Sequence, residues 1–342
     1  MGSKIHELFS TSTMKVMELQ DTVVAIDACT WLHQFLKVTR MSNHPGNRLV
    51  LMDKTCRVIN HLRGFLFRTA FLVKHQIWPV FIFDGAASTK IGRVSRAVSR
   101  SLREHHVELK QVHEEAMKLG MEQMARKIGS RMEFMYPIAE QEVKRLLMYM
   151  GMPVIDAPSE GEAQCCQLLM DGLADHVVSL DADAVLFGAS SVITGLKATS
   201  RSKECQHVDL KHTLNARGLT REQLVDIAIL VGTDFNEKIR GIGPKTALNL
   251  INKHGRIETI ALNESGYDFS PLGICQPRKR HRSNFLDQLR ETFMDPLVTD
   301  GINQLSWNSI DDTHVERFLL EEHSFSPSAV KKAIKTVQAA VG

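Results

Sequence analysis

Seven acidic residues are the first candidates for chemistry, because each lies at the end of a predicted strand, in a tight acidic doublet or beside a glycine turn. They are Asp27, Asp84, Glu160, Glu162, Asp181, Asp183 and Asp234. A single acid at a strand end is more often a helix cap or a turn former than a catalytic group. Seven carboxylates in one pocket, however, would repel one another strongly unless cations neutralised them. The joint pattern predicts a site for two divalent cations.

The type of ligand indicates which cations these would be and what they would do. Oxygen ligands favour hard cations such as Mg²⁺, with Mn²⁺ as a substitute, over zinc. Two such cations among carboxylates are a standard arrangement for in-line attack of water on a phosphodiester. The sequence has no G-x-S-x-G elbow and no P-loop. The predicted chemistry is therefore phosphodiester hydrolysis without a serine or cysteine nucleophile.

A run of positive residues follows Asp84, and no acid lies between residues 85 and 103. The run consists of Lys90, Arg93, Arg96, Arg100 and Arg103. On a helix these spacings produce one stripe about 20 Å long, which can face several successive phosphates. The alternative is an ordinary solvated helix face, but such faces usually mix positive and negative residues. The single sign of this stripe favours phosphate binding.

A glycine turn between two helical patterns provides the third signal. The segment RGIGPKT at 240–246 predicts a tight helix-turn-helix connection. Gly241 and Gly243 would let backbone amides approach a phosphate at the start of the next helix, beside Arg240, Lys245 and Thr246. A helix connector without a ligand would have a similar sequence.

The elements that position these residues are predicted to form an α/β fold. Short apolar runs at 23–26, 79–83 and 177–180 each lead into an acid and are typical of buried strands. Helical patterns cover 50–75, 90–130, 138–150 and 159–171, the last with Ser159 as N-cap, and most of the chain from 219 onward. Loops are predicted at 40–48 and 265–283. Strands that alternate with helices indicate a sheet with parallel segments, whose sites form at the carboxyl ends of the strands.

Composition excludes several classes of protein. The chain has 342 residues, of which 43% are hydrophobic and 24% charged, so disordered and fibrous proteins are excluded. Lys and Arg number 42 against 39 acids, a weak indication of an anionic partner. Six cysteines without a C-x-x-C pair predict reduced thiols inside a cell, and we expect no membrane span and no signal peptide. A basic cluster at 278–282 is either a solvated loop or a nuclear-import or nucleic-acid patch.

These residues, in this order, resemble the flap endonuclease, exonuclease-1 and XPG superfamily of structure-selective 5′ nucleases. The resemblance rests on VAIDACTWLHQFL, VFIFDG, DAPSEGEAQC, SLDADAVLFG and LVGTDFNEKIRGIGPKTALNLI. It implies a central twisted mixed, largely parallel sheet flanked by helices, with a helical arch and a helix-turn-helix element. It also implies one nuclease domain over 1–342. Its parts are an N-terminal region (1–104), a cap (105–135), an internal region (136–218), the duplex-binding element (219–256) and a helical C-terminal segment (257–342).

The resemblance also implies roles for individual residues. All seven acids match the metal site of the family; Glu160, Asp181 and Asp183 would hold metal directly, and the other four would ligate or orient metal-bound water. Lys90 and Arg96 would contact the scissile phosphate, although the register also allows Arg93 or Arg100. His33 would stack on a nucleotide near the cut, whereas from the residues alone it could equally be a buried core histidine. A K⁺ ion is expected at the helix-turn-helix element.

The expected substrate is branched or nicked duplex DNA with a 5′ flap or a 5′ end. The expected enzyme is an intracellular monomer, nuclear if the source is eukaryotic. The sequence shows no clamp-binding motif, so we predict no interaction with a sliding clamp. The motifs leave the flap endonuclease and exonuclease-1 branches both open. Two other functions compete with this hypothesis. One is a non-catalytic scaffold that binds DNA junctions, and the other is a PIN-like ribonuclease, which uses fewer acids and lacks GIGPK.

Overall fold

The computed structural model describes most of the chain outside the predicted arch. The described residues are 5–37, 40–41, 48–49, 53–54, 57–85, 114–116, 118–121, 136–179, 182–197, 204–274 and 284–341. The whole basic stripe from Lys90 to Arg103, the cluster at 278–282 and Asp181 lie outside these ranges. The predictions made for them remain predictions.

A seven-stranded mixed sheet forms the centre of the described residues, with strand order β1-β9-β8-β7-β2-β5-β6. The strands are β1 (Thr11–Lys15), β2 (Val23–Asp27), β5 (Trp78–Phe83), β6 (Val154–Asp156), β7 (His176–Val178), β8 (Ser191–Thr194) and β9 (Glu204–Asp209). The short strands β3 (Arg40–Met41) and β4 (Arg48–Leu49) pair separately, at the two ends of the predicted loop 40–48. The prediction of an α/β fold is confirmed.

Parallel pairing aligns the strands that carry the acids. Strand β2 pairs in parallel with β5 and with β7, and β5 pairs in parallel with β6. Asp27 lies opposite Ile82, and Ile26 lies opposite Val178. The carboxyl ends of these strands therefore meet at one edge of the sheet, which we call the carboxyl edge.

Helices surround the sheet. They are α1 (Ala28–Lys37), α2 (Asn60–Lys74), α3 (Tyr136–Tyr149), α4 (Gly161–Met170), α5 (Leu210–Arg217), α6 (Arg221–Val231), α7 (Pro244–His254), α8 (Ile257–Asn263), α9 (Asn284–Met294), α10 (Asp312–Glu316) and α11 (Pro327–Val341). Several helix boundaries predicted from sequence are wrong. The helical pattern predicted over 90–130 is interrupted by a turn at 119–120. Helix α2 begins at Asn60, ten residues after the predicted start. The N-cap of α4 is Glu160 rather than Ser159.

Both faces of the sheet are buried, so one apolar core packs on each side. On one side, Trp31 lies with its ring centroid 6.1 Å from that of Phe35, 6.0 Å from Phe65 and 6.2 Å from Phe81. Tilted and edge-to-face aromatic pairs at such distances are favourable. This cluster joins α1 and α2 to β5 and so fixes the helix that follows Asp27.

The described residues bear on two sequence predictions, the absence of a membrane span and the presence of reduced cysteines. No helix in this part of the chain combines the length and the apolar composition that a membrane crossing requires. Cys29, Cys165, Cys166 and Cys205 are buried free thiols, as the prediction of reduced cysteines requires.

Candidate active site

Asp27 is the last residue of β2 and is 3% exposed. Its Oδ1 accepts a hydrogen bond from the backbone N–H of Thr30 at 3.1 Å, in the first turn of α1. A carboxylate at this place satisfies one of the free N–H groups at a helix start and is favoured by the helix dipole. The side chain therefore acts as a helix cap, as the simpler interpretation of a strand-end acid predicts, and this bond holds it at the carboxyl edge.

Asp84 follows β5 and caps a helix that is distant in sequence. Its Oδ1 accepts from the backbone N–H of Gly161 at 2.8 Å, the first residue of α4. Gly85 donates its backbone N–H to the Ser159 carbonyl at 2.7 Å. A Cβ on Gly85 would lie 2.1 Å from the Ala157 carbonyl oxygen, so this close approach requires glycine. The β5 end and the start of α4 are thereby held together.

That contact brings Glu160 and Glu162 to the same edge. Glu160 is the N-cap residue of α4 and is 4% exposed, and Glu162 lies in the first turn. The hydroxyl of Ser179, directly after β7, donates to Glu162 Oε1 at 2.8 Å. Ser179 is 1% exposed, so this bond is shielded from water on the serine side. Three neighbouring strands and α4 thus all contribute to the position of these carboxylates.

The buried Cys165 thiol lies on α4, near the acids of the carboxyl edge. Burial raises the pKa of Cys165 well above its ordinary value, and the charges of Asp27, Glu162 and Asp84 raise it further. A charge affects a pKa in this way only when it is near, since the interaction falls with distance. The fields of three carboxylates therefore overlap at one side chain on the inner face of α4.

Asp183 lies beside α4, in a short 3-10 helix at Ala182–Val185, and is 8% exposed. The Cys166 thiol on α4 donates to the Ala184 carbonyl at 3.3 Å, which holds the two elements together. Asp183 is therefore placed against the same helix as Glu160 and Glu162.

Asp234 is half-buried in the loop after α6, and buried Asn236 organises this loop. The Asn236 Nδ2 donates to the carbonyls of Ile229 at 2.8 Å and Glu237 at 2.9 Å. Its Oδ1 accepts from the Thr233 hydroxyl at 2.7 Å. These bonds fix the backbone on both sides of Asp234.

Asp27, Asp84, Glu160 and Glu162 lie at the carboxyl edge and Asp183 lies beside α4, whereas Asp234 lies in the loop after α6. Among the residues that the structure describes, no three His, Cys, Asp or Glu side chains lie close enough together to bind one cation. Asp181 is outside that set. The six described acids would all bind a cation through carboxylate oxygens, and oxygen ligands favour a hard cation.

His33 lies on α1, six residues beyond Asp27, and is exposed. The alternative of a buried core histidine is therefore wrong. Trp31 and Phe35 occupy the buried positions of this helix. The stacking role of His33 stays a prediction.

The glycine turn lies at the end of a connection that covers residues 232–243, longer than the tight helix-turn-helix connection that the sequence predicts. It joins α6 to α7, with Pro244 as the first residue of α7 and Gly243 as its N-cap. Gly241 has φ of +85°, a conformation that favours glycine. Arg240 and Lys245 are exposed and Thr246 is half-buried. A Cβ on Gly243 would meet no atom within 4 Å, so a large group can approach its backbone.

Comparisons with known proteins agree with this architecture. The chain matches the XPG N-terminal domain model over residues 3–105 and the XPG I-region model over residues 151–234. It is 38% identical to Flap endonuclease 1 of Methanosarcina barkeri over 349 residues, covering 99% of this chain and 96% of that protein. The chain belongs to the flap endonuclease family. Its activity is that of a structure-selective 5′ flap nuclease.

Solved structures of similar proteins show the same fold. The flap endonuclease-1 from Methanococcus jannaschii superposes with a TM-score of 0.73 at 25% identity and covers 99% of both chains. The Holliday junction-resolving enzyme GEN1, solved with product DNA and a Mg²⁺ ion, has a TM-score of 0.62 at 18% identity; 97% of this chain and 76% of that chain are covered. The predicted family and enzyme class of this flap endonuclease are thereby confirmed.

Sequence reasoning missed the residues that hold the acids in place. Ser179, Asn236 and Cys29 are three of them, the last through its sulfur, which accepts from the Asp84 N–H at 3.2 Å. Ser179 stands between a strand and the DAD motif, and Asn236 stands two residues after Asp234. In the sequence, these three residues could have been identified only by their position near a candidate acid.

Proposed function

We propose that this enzyme hydrolyses one phosphodiester at the carboxyl edge with two Mg²⁺ ions, for which Mn²⁺ can substitute. The observation that carries the proposal is geometric: Asp27 ends β2, Asp84 follows the parallel strand β5, and the bond from Gly161 to Asp84 brings the start of α4, with Glu160 and Glu162, to the same edge of the sheet. The divalent ions would neutralise the acids and supply an activated water for in-line attack. The presence of Mg²⁺ with product DNA in the GEN1 structure supports this choice of ion.

The chain's own residues would hold and orient the reacting groups. Glu160, Asp181 and Asp183 are proposed to bind metal directly, and Asp27, Asp84, Glu162 and Asp234 to complete or orient the coordination. Lys90 and Arg96, in the segment outside the described residues, would stabilise charge that develops on the phosphate. Arg93, Arg100 and Arg103 would contact neighbouring phosphates.

Binding of the substrate is proposed to use two further surfaces. The turn with Arg240, Gly241, Gly243, Lys245 and Thr246 would contact duplex backbone, with K⁺ as an additional ligand of this element. Exposed His33 would stack on a nucleotide beside the cut. We propose that nicked duplexes and 5′ ends, as well as 5′ flaps, are substrates, and that the enzyme acts as an intracellular monomer.

The test is cleavage of a labelled 5′-flap DNA with and without Mg²⁺ by the wild type, Asp181→Ala and the control Asp171→Ala. We expect Asp181→Ala to abolish cleavage yet leave DNA affinity nearly unchanged, since the phosphate contacts lie elsewhere. Asp171 is an exposed acid at the end of α4, so its variant should cut normally.

Three outcomes would contradict this proposal. Cleavage that persists without a divalent ion would exclude the metal mechanism. Binding without cleavage by the wild type would favour the non-catalytic scaffold. Faster cutting of an RNA flap than of a DNA flap would favour a ribonuclease.

A further inference from the structure

A pocket of about 420 Å³ lies along one face of α4. From this helix it is lined by Ala163, Cys166, Gln167 and Met170, which recur at the spacing of a single helix face over about 10 Å. The start of α6 and the end of α9 with the segment after it form other walls. None of the described candidate acids lines this pocket, so it is separate from the candidate active site.

Hydrogen bonds and close packing hold the walls of the pocket in place. Gln164, which is fully buried, accepts from the backbone N–H of Thr299 at 2.7 Å and donates to the Thr299 carbonyl at 3.1 Å. These bonds fasten the segment after α9 to α4. A Cβ on Gly188 would lie 2.8 Å from Arg221 Cζ and 3.0 Å from Met170 Cε, so the packing of these two side chains requires glycine. The pocket is therefore formed before any ligand binds.

Arg221, the first residue of α6, brings a positive charge to the pocket. Its Nε and Nη2 donate to the Leu186 carbonyl at 3.2 Å, and Nη2 also donates to the Phe293 carbonyl at 2.7 Å. Within the described residues Arg221 forms no ion pair, and the N–H groups of Nη1 have no acceptor. The side chain is half-buried, and this burial lowers its pKa. A carboxylate is the ligand that matches such a guanidinium, because it supplies both the charge and the acceptors.

Apolar side chains make up much of the remaining lining. Phe187 is buried, Met294 is half-buried, and Met170 and Leu297 are 57% and 62% exposed. Single exposed apolar residues are common, but two large ones at the rim of one pocket are typical of a binding surface. Methionine adapts well to the shape of a peptide partner. Because Met170 and Leu297 extend past the pocket, a peptide segment covers them better than a small molecule does.

Two exposed acids at the pocket argue against nucleic acid as the ligand. Asp295 and Asp300 line it, and neither forms an ion pair with Arg221 or with another described residue. The lining therefore has two acids and one cation, a balance that repels a phosphate backbone. Basic residues that flank the bound part of a peptide would instead be attracted to these acids.

We infer that this pocket binds a short segment of a partner protein through a carboxylate on Arg221. A large apolar side chain of the segment packs between Met170 and Leu297, and its basic residues lie toward Asp295 and Asp300. The partner does not compete with DNA, since the pocket shares no described acid with the candidate active site. Binding of the segment is thus independent of the proposed metal mechanism.

The probe is a library of random heptapeptides displayed on phage and selected on the whole chain, with excess duplex DNA present to cover the DNA-binding surfaces. Enriched peptides are labelled, and their affinity is measured by fluorescence polarisation. We expect them to carry an acid beside a Leu, Met or aromatic residue. Arg221→Gln should weaken their binding by about tenfold or more, because a charge-assisted pair is lost. The control is Arg217→Gln, since Arg217 also donates to two backbone carbonyls but lies outside the pocket.

A second pair of variants changes only exposed apolar side chains, so a folding defect is not expected. Met170→Ser/Leu297→Ser should also weaken peptide binding by about tenfold or more, since the apolar anchor is lost. The matched control is Met148→Ser/Leu262→Ser, which removes the same residue types where they are 63% and 59% exposed on α3 and α8. The control should bind the peptides as the wild type does.

Three results would contradict a peptide site. The first is that no peptide is enriched, or that the enriched peptides bind the wild type and all four variants equally. The second is binding of phenylacetate that depends on Arg221 while no peptide binds, which would assign the pocket to a small carboxylate. The third is a wild-type dimer that Met170→Ser/Leu297→Ser abolishes, which would assign the pocket to a second copy of this chain.

Discussion

Ser179 shows how one uncharged residue can determine the geometry of a carboxylate site. Its hydroxyl donates to Glu162 Oε1 at 2.8 Å, and the serine is almost fully buried. A hydrogen bond to a charged group is worth more than one between neutral groups, and a partner of this kind orients a metal ligand. Ser179 is therefore a positioning residue for Glu162.

We predict that Ser179→Ala weakens the binding of Mg²⁺ or Mn²⁺ by about tenfold, as is common when a ligand loses its orienting partner. Ser179→Thr keeps the hydroxyl and should restore most of the affinity. Binding of Mn²⁺ without DNA, measured by calorimetry, checks this independently of cleavage. Equal Mn²⁺ affinity in all three proteins would show that the bond is only structural.

At the scale of elements, the loop between α6 and α7 connects the acid site to the helix-turn-helix. Asn236 makes two side-chain hydrogen bonds within this loop and a third to Ile229 in α6, and it is 5% exposed. Two of them satisfy backbone carbonyls, which otherwise would have to find water. The loop positions Asp234 on one side and leads into Gly241 and Gly243 on the other.

We predict that Asn236→Ala lowers the free energy of unfolding by about 2 to 3 kcal/mol, since three hydrogen bonds at about 1 kcal/mol each are lost. Because Asp234 loses its support, flap cleavage should fall as well. Urea unfolding measures the stability. Asn263→Ala is the control, because its amide makes one exposed bond to Thr259 within α8. A loss no larger than that of the control would contradict the role of Asn236.

Across the whole molecule, a largely buried group of ionisable side chains joins α2 and α3 to the segment before α11. Glu142 on α3 contacts His61 Nε2 at 2.8 Å and lies 3.7 Å from His323 Nε2. Burial lowers the pKa of His323; Glu142 and Asp53 oppose that shift, while Arg57 and His61 add to it. The folded state therefore favours the neutral imidazole at this position.

The sign of the resulting pH dependence follows from that direction. The unfolded chain takes up a proton on His323 near pH 6.5, and the folded chain does so only at lower pH. Stability is therefore complete above pH 6.5 and falls as the pH decreases below it. Burial lowers the pKa of His176 too, so this residue contributes in the same sense.

We predict that His323→Gln flattens the dependence of stability on pH between 7.5 and 5.5. Urea unfolding at the two pH values measures this dependence in the wild type, the variant and the control His212→Gln, whose imidazole is exposed. The control should retain the wild-type dependence. If His323→Gln retains it too, the acid sensitivity arises from other groups.

The sequence by itself determined the main strands, the acids at their ends and the family. Buried strands need continuous apolar runs, so 23–26 and 79–83 could be identified locally, and an acid directly after such a run lies at the carboxyl edge. The glycine turn before α7 was equally visible, because Gly241 and Gly243 occupy a turn whose geometry depends on few neighbouring residues, but the length of the connection from α6 was not. In these cases the types of neighbouring residues were sufficient to predict the local structure.

Only the tertiary structure decided how the acids are held and what the rest of the surface offers. The bond from Gly161 to Asp84 joins residues 77 apart, and that from Ser179 to Glu162 joins residues 17 apart in different elements. Helix α11 packs against α2 although more than 250 residues separate them. Such contacts depend on how strands are ordered and helices packed, and no local pattern of residue types encodes that arrangement.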